Sequence, residues 1–316
     1  MAKDYRVLFV QRKGEERVPL RELRLFFRGF PSVLEQVSRH TADEKDRPPF
    51  TFIFEDDTAC VFFSFEYFPQ LQRPVPEDFA DTGLTLVLEL ARPPFFATTA
   101  IDLALQLAEK FNLLFLPPDS AKPIPVDKKR LILHYEQENL RTVEKARKKG
   151  QIIPFLPRER LLYWFNYTSN LPTIRKRFES SPVAVPALKI LQFKNTTRAV
   201  TAFQWTRGRA TLLPQADYVI VERAWHPPEK VLRGGVHLPG KRERIEIGLA
   251  PLSEVMDIVS LYAKGYSEPV SFLVYRVPLT PPEVRDSIRK LSLSDPGAYK
   301  VIRPDSVVEF APHHAD

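Results

Sequence analysis

The chain has 316 residues, a net charge of +7, one cysteine, 11 glycines and 30 prolines. One cysteine excludes an intrachain disulfide and a cysteine zinc finger. Scarce glycine, with no GxxxxGK[ST] and no GxGxxG after a strand, argues against the common phosphate-cradling loops.

The N-terminal stretch MAKDYRVLFVQRKGEERV lacks the apolar run and small-residue cleavage site of a signal peptide. No apolar run approaches the ~20 residues of a membrane helix. The expectation is therefore a cytoplasmic protein in a reducing compartment. On that basis the sequons at Asn166 and Asn195 are read as chance, and Cys60 as an inert core residue.

Residues 1–118 read as an α+β domain. YRVLFVQR is an opening strand, and Leu20–His40 is mainly helical with Pro31 as a break or new start. FTFIFEDDTACVFFSFEYF is a hairpin turning at Glu55, Asp56, Asp57 and Thr58. TGLTLVLELARP is a strand. ATTAIDLALQLAEKFN is a buried helix, with apolar residues at Ala100, Leu103, Ala104, Leu107, Ala108 and Phe111. LLFLPP is a further strand, parallel to the one before the helix. The sum is a ferredoxin-like mixed sheet with an extra strand.

Residues 119–127 form a Pro-rich linker. Residues 128–181 form a basic helical segment. Its first helix has Asp127 as N-cap and Gly150 past its end. A second helix covers Arg158–Tyr167, and Pro172 opens a third that reaches Arg177. Residues 182–316 form a C-terminal α+β domain with a mixed sheet. Strands are expected at ALKILQF, RAVTAFQWT, ADYVIVERA, KRERIEIGLA and VSFLVYRVP, and a helix at PLSEVMDIVSLYAKG. A last helix starts with Thr280 as N-cap, Pro281 at its first position and Glu283 closing a capping box.

The chemistry-bearing candidates are few. The chain has no GxSxG and no HExxH, and no cofactor is expected. His313 and His314 are adjacent in the tail, and His226 is a lone histidine in a Pro-rich stretch. Glu55, Asp56 and Asp57 are read as a solvated turn rather than a cation site. Asp217, Glu222 and Glu246 on neighbouring strands carry the alternative of a metal-dependent hydrolase or nuclease.

Charge singles out one segment. Residues 128–178 hold thirteen basic and four acidic side chains. The candidate contact residues are Lys145, Arg147, Lys148, Lys149, Arg158, Arg160, Tyr163, Trp164, Tyr167, Arg175, Lys176 and Arg177. Cations for phosphates and aromatics for bases are what nucleic-acid binding requires. Arg, Trp and Tyr also dominate protein–protein hot spots. Helical spacing groups Leu161, Phe165 and Thr168 on one face and Tyr163 with Tyr167 on another, so the aromatics can also pack inward. The leading expectation is a non-catalytic adaptor or assembly subunit that docks a partner protein with an acidic surface. Nucleic-acid binding through the same segment is the alternative.

Overall fold

The computed structural model describes residues 4–37, 49–69, 73–118, 120–125, 127–206, 209–225, 244–277 and 281–310. The fold is α+β, in two compact units. One comprises the residues up to Leu161 and those from Arg303 onward, and the other is Leu162–Ile302.

The first unit is built on six strands: β1 (Asp4–Arg12), β2 (Val33–Val37), β3 (Phe50–Asp56), β4 (Val61–Tyr67), β5 (Phe79–Glu89) and β6 (Leu114–Leu116). Their order is β2-β3-β4-β5-β1-β6. β5 and β6 do run parallel, but β1 lies between them and is antiparallel to both. Every neighbouring pair is therefore antiparallel, and the expected mixed sheet is in fact a purely antiparallel one. The order β6-β1-β5-β4 is that of a ferredoxin-like sheet, which β3 and β2 extend.

Strand alternation decides what is buried. Val61, Phe63, Phe65 and Tyr67 on β4 are buried, while Phe62, Ser64 and Glu66 between them are half-exposed. Helix α1 (Leu20–Phe27) packs on the buried side, where Phe27 stacks on Phe52 with ring centres 4.3 Å apart. Helix α2 (Pro94–Phe111) buries Ala100, Leu103, Ala104 and Leu107. Truncating a fully enclosed ring such as Phe65 removes about 3–5 kcal/mol of stability.

Helix α3 (Lys128–Lys148) starts where expected. Asp127 caps it by accepting from the Arg130 N–H at 3.2 Å. It belongs to the first unit, with Tyr135 edge-on to Tyr5 at 5.4 Å and its hydroxyl donating to the Glu89 carbonyl. The fully buried Asn139 accepts from the Ala91 N–H and donates to the Arg92 carbonyl, holding the left-handed turn at Ala91. Ile124, inside the Pro-rich stretch, exchanges backbone hydrogen bonds with Phe115 of β6. That stretch thus leads from β6 to α3 within one unit.

Two local expectations and one domain boundary differ in the structure. Residues 33–37 are a strand, not helix, because Phe30 and Gly29 close α1 and Val33–Val37 pairs along β3. Cys60 is half-buried at the hairpin tip with φ +52°, not in the core. At that tip the Asp56 carboxylate accepts from the Thr58 and Ala59 N–H groups, which makes it a turn acceptor. The chain's last described segment, 303–310, returns to the first unit. The Val308 N–H donates to the Pro154 carbonyl, and Arg92 donates to the Asp305 carbonyl at 2.8 Å.

The second unit has a five-stranded sheet and a three-stranded sheet. The larger contains β7 (Lys189–Phe193), β8 (Ala199–Thr206), β10 (Tyr218–Trp225), β11 (Arg244–Pro251) and β14 (Tyr299–Ile302), in the order β11-β10-β8-β7-β14. β10 and β8 are parallel, so this sheet is mixed as expected. The smaller contains β9 (Thr211–Pro214), β12 (Ala263–Tyr266) and β13 (Phe272–Tyr275), in the order β12-β13-β9.

Helix α5 is only Leu252–Val259, because the chain passes through a 3-10 turn into β12. Helix α6 (Pro282–Lys290) has Pro281 at its N-cap and Pro282 at its first position, one residue later than the sequence suggests; Thr280 lies outside the described residues. Its other end is closed by Arg223, whose guanidinium donates to the carbonyls of Ile288, Arg289 and Leu291. Gly248 allows close passage, since a Cβ there would meet Leu293 Cβ at 2.5 Å.

Asp81 gives the first unit a pH dependence. Burial alone would raise its carboxyl. The Arg73 guanidinium at 2.8 and 2.9 Å, with the Arg73 and Gly83 N–H groups, holds it below its ordinary 3.8. A depressed carboxyl contributes stability that is present above the ordinary value and is lost as pH falls through the folded one. Asp81→Asn is therefore expected to cost about 1–3 kcal/mol at pH 7. In urea titrations the gap to the parent protein narrows below about pH 4.

Candidate functional site

The basic aromatic segment ends in helix α4 (Arg158–Phe178), a single uninterrupted helix. Pro172 does not break it; it lies inside the helix and faces outward. The buried residues are Leu161, Trp164, Tyr167, Leu171, Ile174 and Phe178. Their spacing of three or four makes one stripe. It is rotated from the face expected on Leu161, Phe165 and Thr168.

Hydrogen bonds fix that rotation. Trp164 Nε1 donates to the Leu188 carbonyl at 2.8 Å, and the Tyr167 hydroxyl donates to the Pro186 carbonyl at 2.7 Å. Both acceptors precede β7. Burial pushes the Tyr167 hydroxyl well above the ordinary tyrosine value. Tyr163 is half-buried; its hydroxyl donates to the Ser271 carbonyl at 2.7 Å and accepts from the Gln215 N–H at 2.9 Å. Trp164 and Tyr167 are thus interior residues, and Tyr163 pins a loop. The three aromatics proposed from sequence as contact residues provide no open stacking surface, because their polar tips satisfy internal backbone groups.

The cations divide into groups. Lys145, Lys148 and Lys149 are exposed at the end of α3, where positive charge suits the carbonyl end of the helix. Arg147 is half-buried and donates to the Phe310 carbonyl at 2.7 Å. Arg158 pairs with Glu136 at 2.6 Å and Glu309 at 2.9 Å. Burial raises the Glu309 carboxyl, and Arg158 counters part of that. Arg160 is half-buried beside it in sequence. Arg147 and Arg158 therefore hold the returning C-terminal segment to the first unit.

Arg175, Lys176 and Arg177 are exposed in the last turn of α4. In the second unit Arg177 joins a cluster that the sequence did not suggest. Its guanidinium lies 5.1 Å from the centre of the Tyr266 ring and donates to the Glu268 carbonyl at 3.0 Å. Arg276 lies 5.7 Å from the same ring. Tyr266 in turn stacks on Phe272 and meets Phe178 edge-on. Arg177, Lys264, Gly265, Tyr266, Ser267 and Glu268 line a depression of about 570 Å³. Residues 251–265 read as one helix, which hides the strand that carries Lys264, and nothing local brings Arg276 of the expected strand VSFLVYRVP beside it.

The carboxylates proposed for metal do not converge. Asp217 accepts from the backbone N–H and the hydroxyl of Thr201. Glu222 stands opposite Ile247 and Arg223 opposite Glu246, so Glu222 and Glu246 project to opposite faces of the sheet. Glu246 pairs with Arg223 at 2.9 Å. Among the described residues no three His, Cys, Asp or Glu side chains are grouped to hold a metal ion. His226, His313 and His314 lie outside the described residues. Among the described residues no helix is long and apolar enough to cross a membrane.

No family model, no curated protein and no solved structure matches this chain.

Removing the hydroxyl in Tyr167→Phe leaves the Pro186 carbonyl without its donor. The expected loss is about 1–2 kcal/mol in chemical denaturation. Affinity for an acidic ligand, read by fluorescence anisotropy, stays within about twofold of the parent protein, because the ring is interior.

Proposed function

We propose that the protein is a docking subunit, an adaptor that holds a partner protein by an acidic surface. The contact is the cationic rim at the end of α4: Arg175, Lys176 and Arg177 with Lys264 and Arg276. The observation that supports this most is the shared depression, lined by Lys264 and by Arg177, whose guanidinium lies over the Tyr266 ring. An arginine over a tyrosine ring keeps its charge while its plane is held by the ring. Such pre-ordered cations lose less freedom on binding carboxylates than a free lysine tail does.

This differs from the wider contact surface suggested by composition. Trp164, Tyr167, Arg147 and Arg158 have internal structural roles and drop out of it. Lys145, Lys148 and Lys149 form a separate exposed group in the first unit. Nucleic acid is the weaker partner for this rim, because base recognition on single strands uses open aromatic faces. Tyr266 is covered by arginines and Phe272 instead.

The test is a titration of the purified protein with labelled poly-L-glutamate and with labelled single-stranded DNA, at low and at physiological salt. The variant changes Arg175, Lys176, Arg177 and Lys264 to Glu. The parent protein is expected to bind poly-L-glutamate at physiological salt. The variant, with unchanged circular dichroism, should lose at least about tenfold in affinity. DNA binding that is tighter than poly-L-glutamate binding, or an unchanged affinity in the variant, would contradict the proposal.

A further inference from the structure

The rim borders a strand edge. β12 pairs with β13 on one side and, among the described residues, is the last strand of its sheet. Arg276 N–H donates to the Tyr262 carbonyl across this pair. Antiparallel pairing alternates, so Lys264 and Tyr266 exchange hydrogen bonds with β13, while Ala263 and Gly265 direct theirs outward. The Ala263 N–H is used locally, donating to the Ser260 carbonyl. The outward groups are then the Ala263 carbonyl and the Gly265 N–H and carbonyl. Gly265 is exposed and lines the depression with its backbone. A Cβ added there would meet nothing nearer than the Leu273 side chain at 3.7 Å. A glycine on an exposed strand edge leaves room for another backbone to approach.

We propose that the outer edge of β12 takes up an extended acidic segment of the partner as an added strand; this rests on the docking reading above and specifies its mode. Main-chain hydrogen bonds to Gly265 would supply affinity, and side chains of alternate residues would supply selectivity. Lys264 and Tyr266 share one face of β12, the face that carries Arg177. Acidic residues of the added strand belong on that face. The residues between them fall on the Gly265 face, beside Leu273. The recognised pattern is therefore acid and apolar in alternation. Glu268 also lines the depression, and its own charge disfavours a second acid at that end.

The probe is a fluorescein-labelled octapeptide alternating Glu and Val, titrated by anisotropy at physiological salt. Controls are the same peptide with N-methylated valines and a peptide with its four Glu and four Val in blocks. Gly265→Pro removes the outward N–H and costs no bond to β13, so it is compatible with an edge strand. The alternating peptide should bind. N-methylation, the block order, Gly265→Pro, and the pair Arg177→Glu with Lys264→Glu should each weaken it by about tenfold or more. Equal binding of the N-methylated or block peptide would overturn strand addition and leave charge-based docking standing. So would absence of peptide binding in a protein that still binds poly-L-glutamate. Loss of both would remove the docking reading as well. The N-methylated control needs no variant, so a misfolded Gly265→Pro does not spoil the outcome.

Discussion

Two hydrogen bonds set the character of helix α4. Trp164 and Tyr167 each carry one polar atom on a large apolar ring. Burying such a ring is favourable only where that atom finds a partner. The carbonyls of Leu188 and Pro186 are those partners. Meeting them fixes the rotation of the helix about its axis. Leu171, Ile174 and Phe178 then follow the same stripe inward, and Arg175, Lys176 and Arg177 are turned outward. The cationic end of α4 is a consequence of where its aromatics go.

Several other arginines are fixed by internal partners. Arg158 between Glu136 and Glu309, Arg92 on the Asp305 carbonyl and Arg223 over the end of α6 all satisfy internal groups. Removing any of them would leave acceptors exposed to no donor, which is a stability effect. Arg177 and Lys264 differ, since they face an open depression. Within the basic segment Arg147 and Arg158 are structural, while Lys145, Lys148, Lys149, Arg175, Lys176 and Arg177 are exposed.

Elements whose signals are local were legible in the sequence. The Asp127 cap of α3, the hairpin of β3 and β4, and the apolar helix α2 each rest on residues within a few positions of one another. What depended on distant partners was not legible. Val33–Val37 reads like part of a helix until β3 is placed beside it. The phase of α4 is set by carbonyls some twenty residues away, and Leu161 with Phe165 looked an equally good stripe. Pro172 reads as a break, yet α4 continues through it with the ring facing outward. The return of 303–310 to the first unit depends on Pro154, Arg92 and Arg147, which nothing near 303 announces. The carboxylates failed for a register reason: Glu222 and Glu246 fall one residue out of step across β10 and β11.

An acidic partner docked at the end of α4 and along β12 would shield the backbone there from solvent. Hydrogen exchange of the full chain, with and without poly-L-glutamate, reads that shielding. New protection is expected only at the amides of 175–178 and 263–267, with the Gly265 amide slowed most. Protection at the Lys145–Lys149 end of α3 instead, or no change at β12, would contradict it.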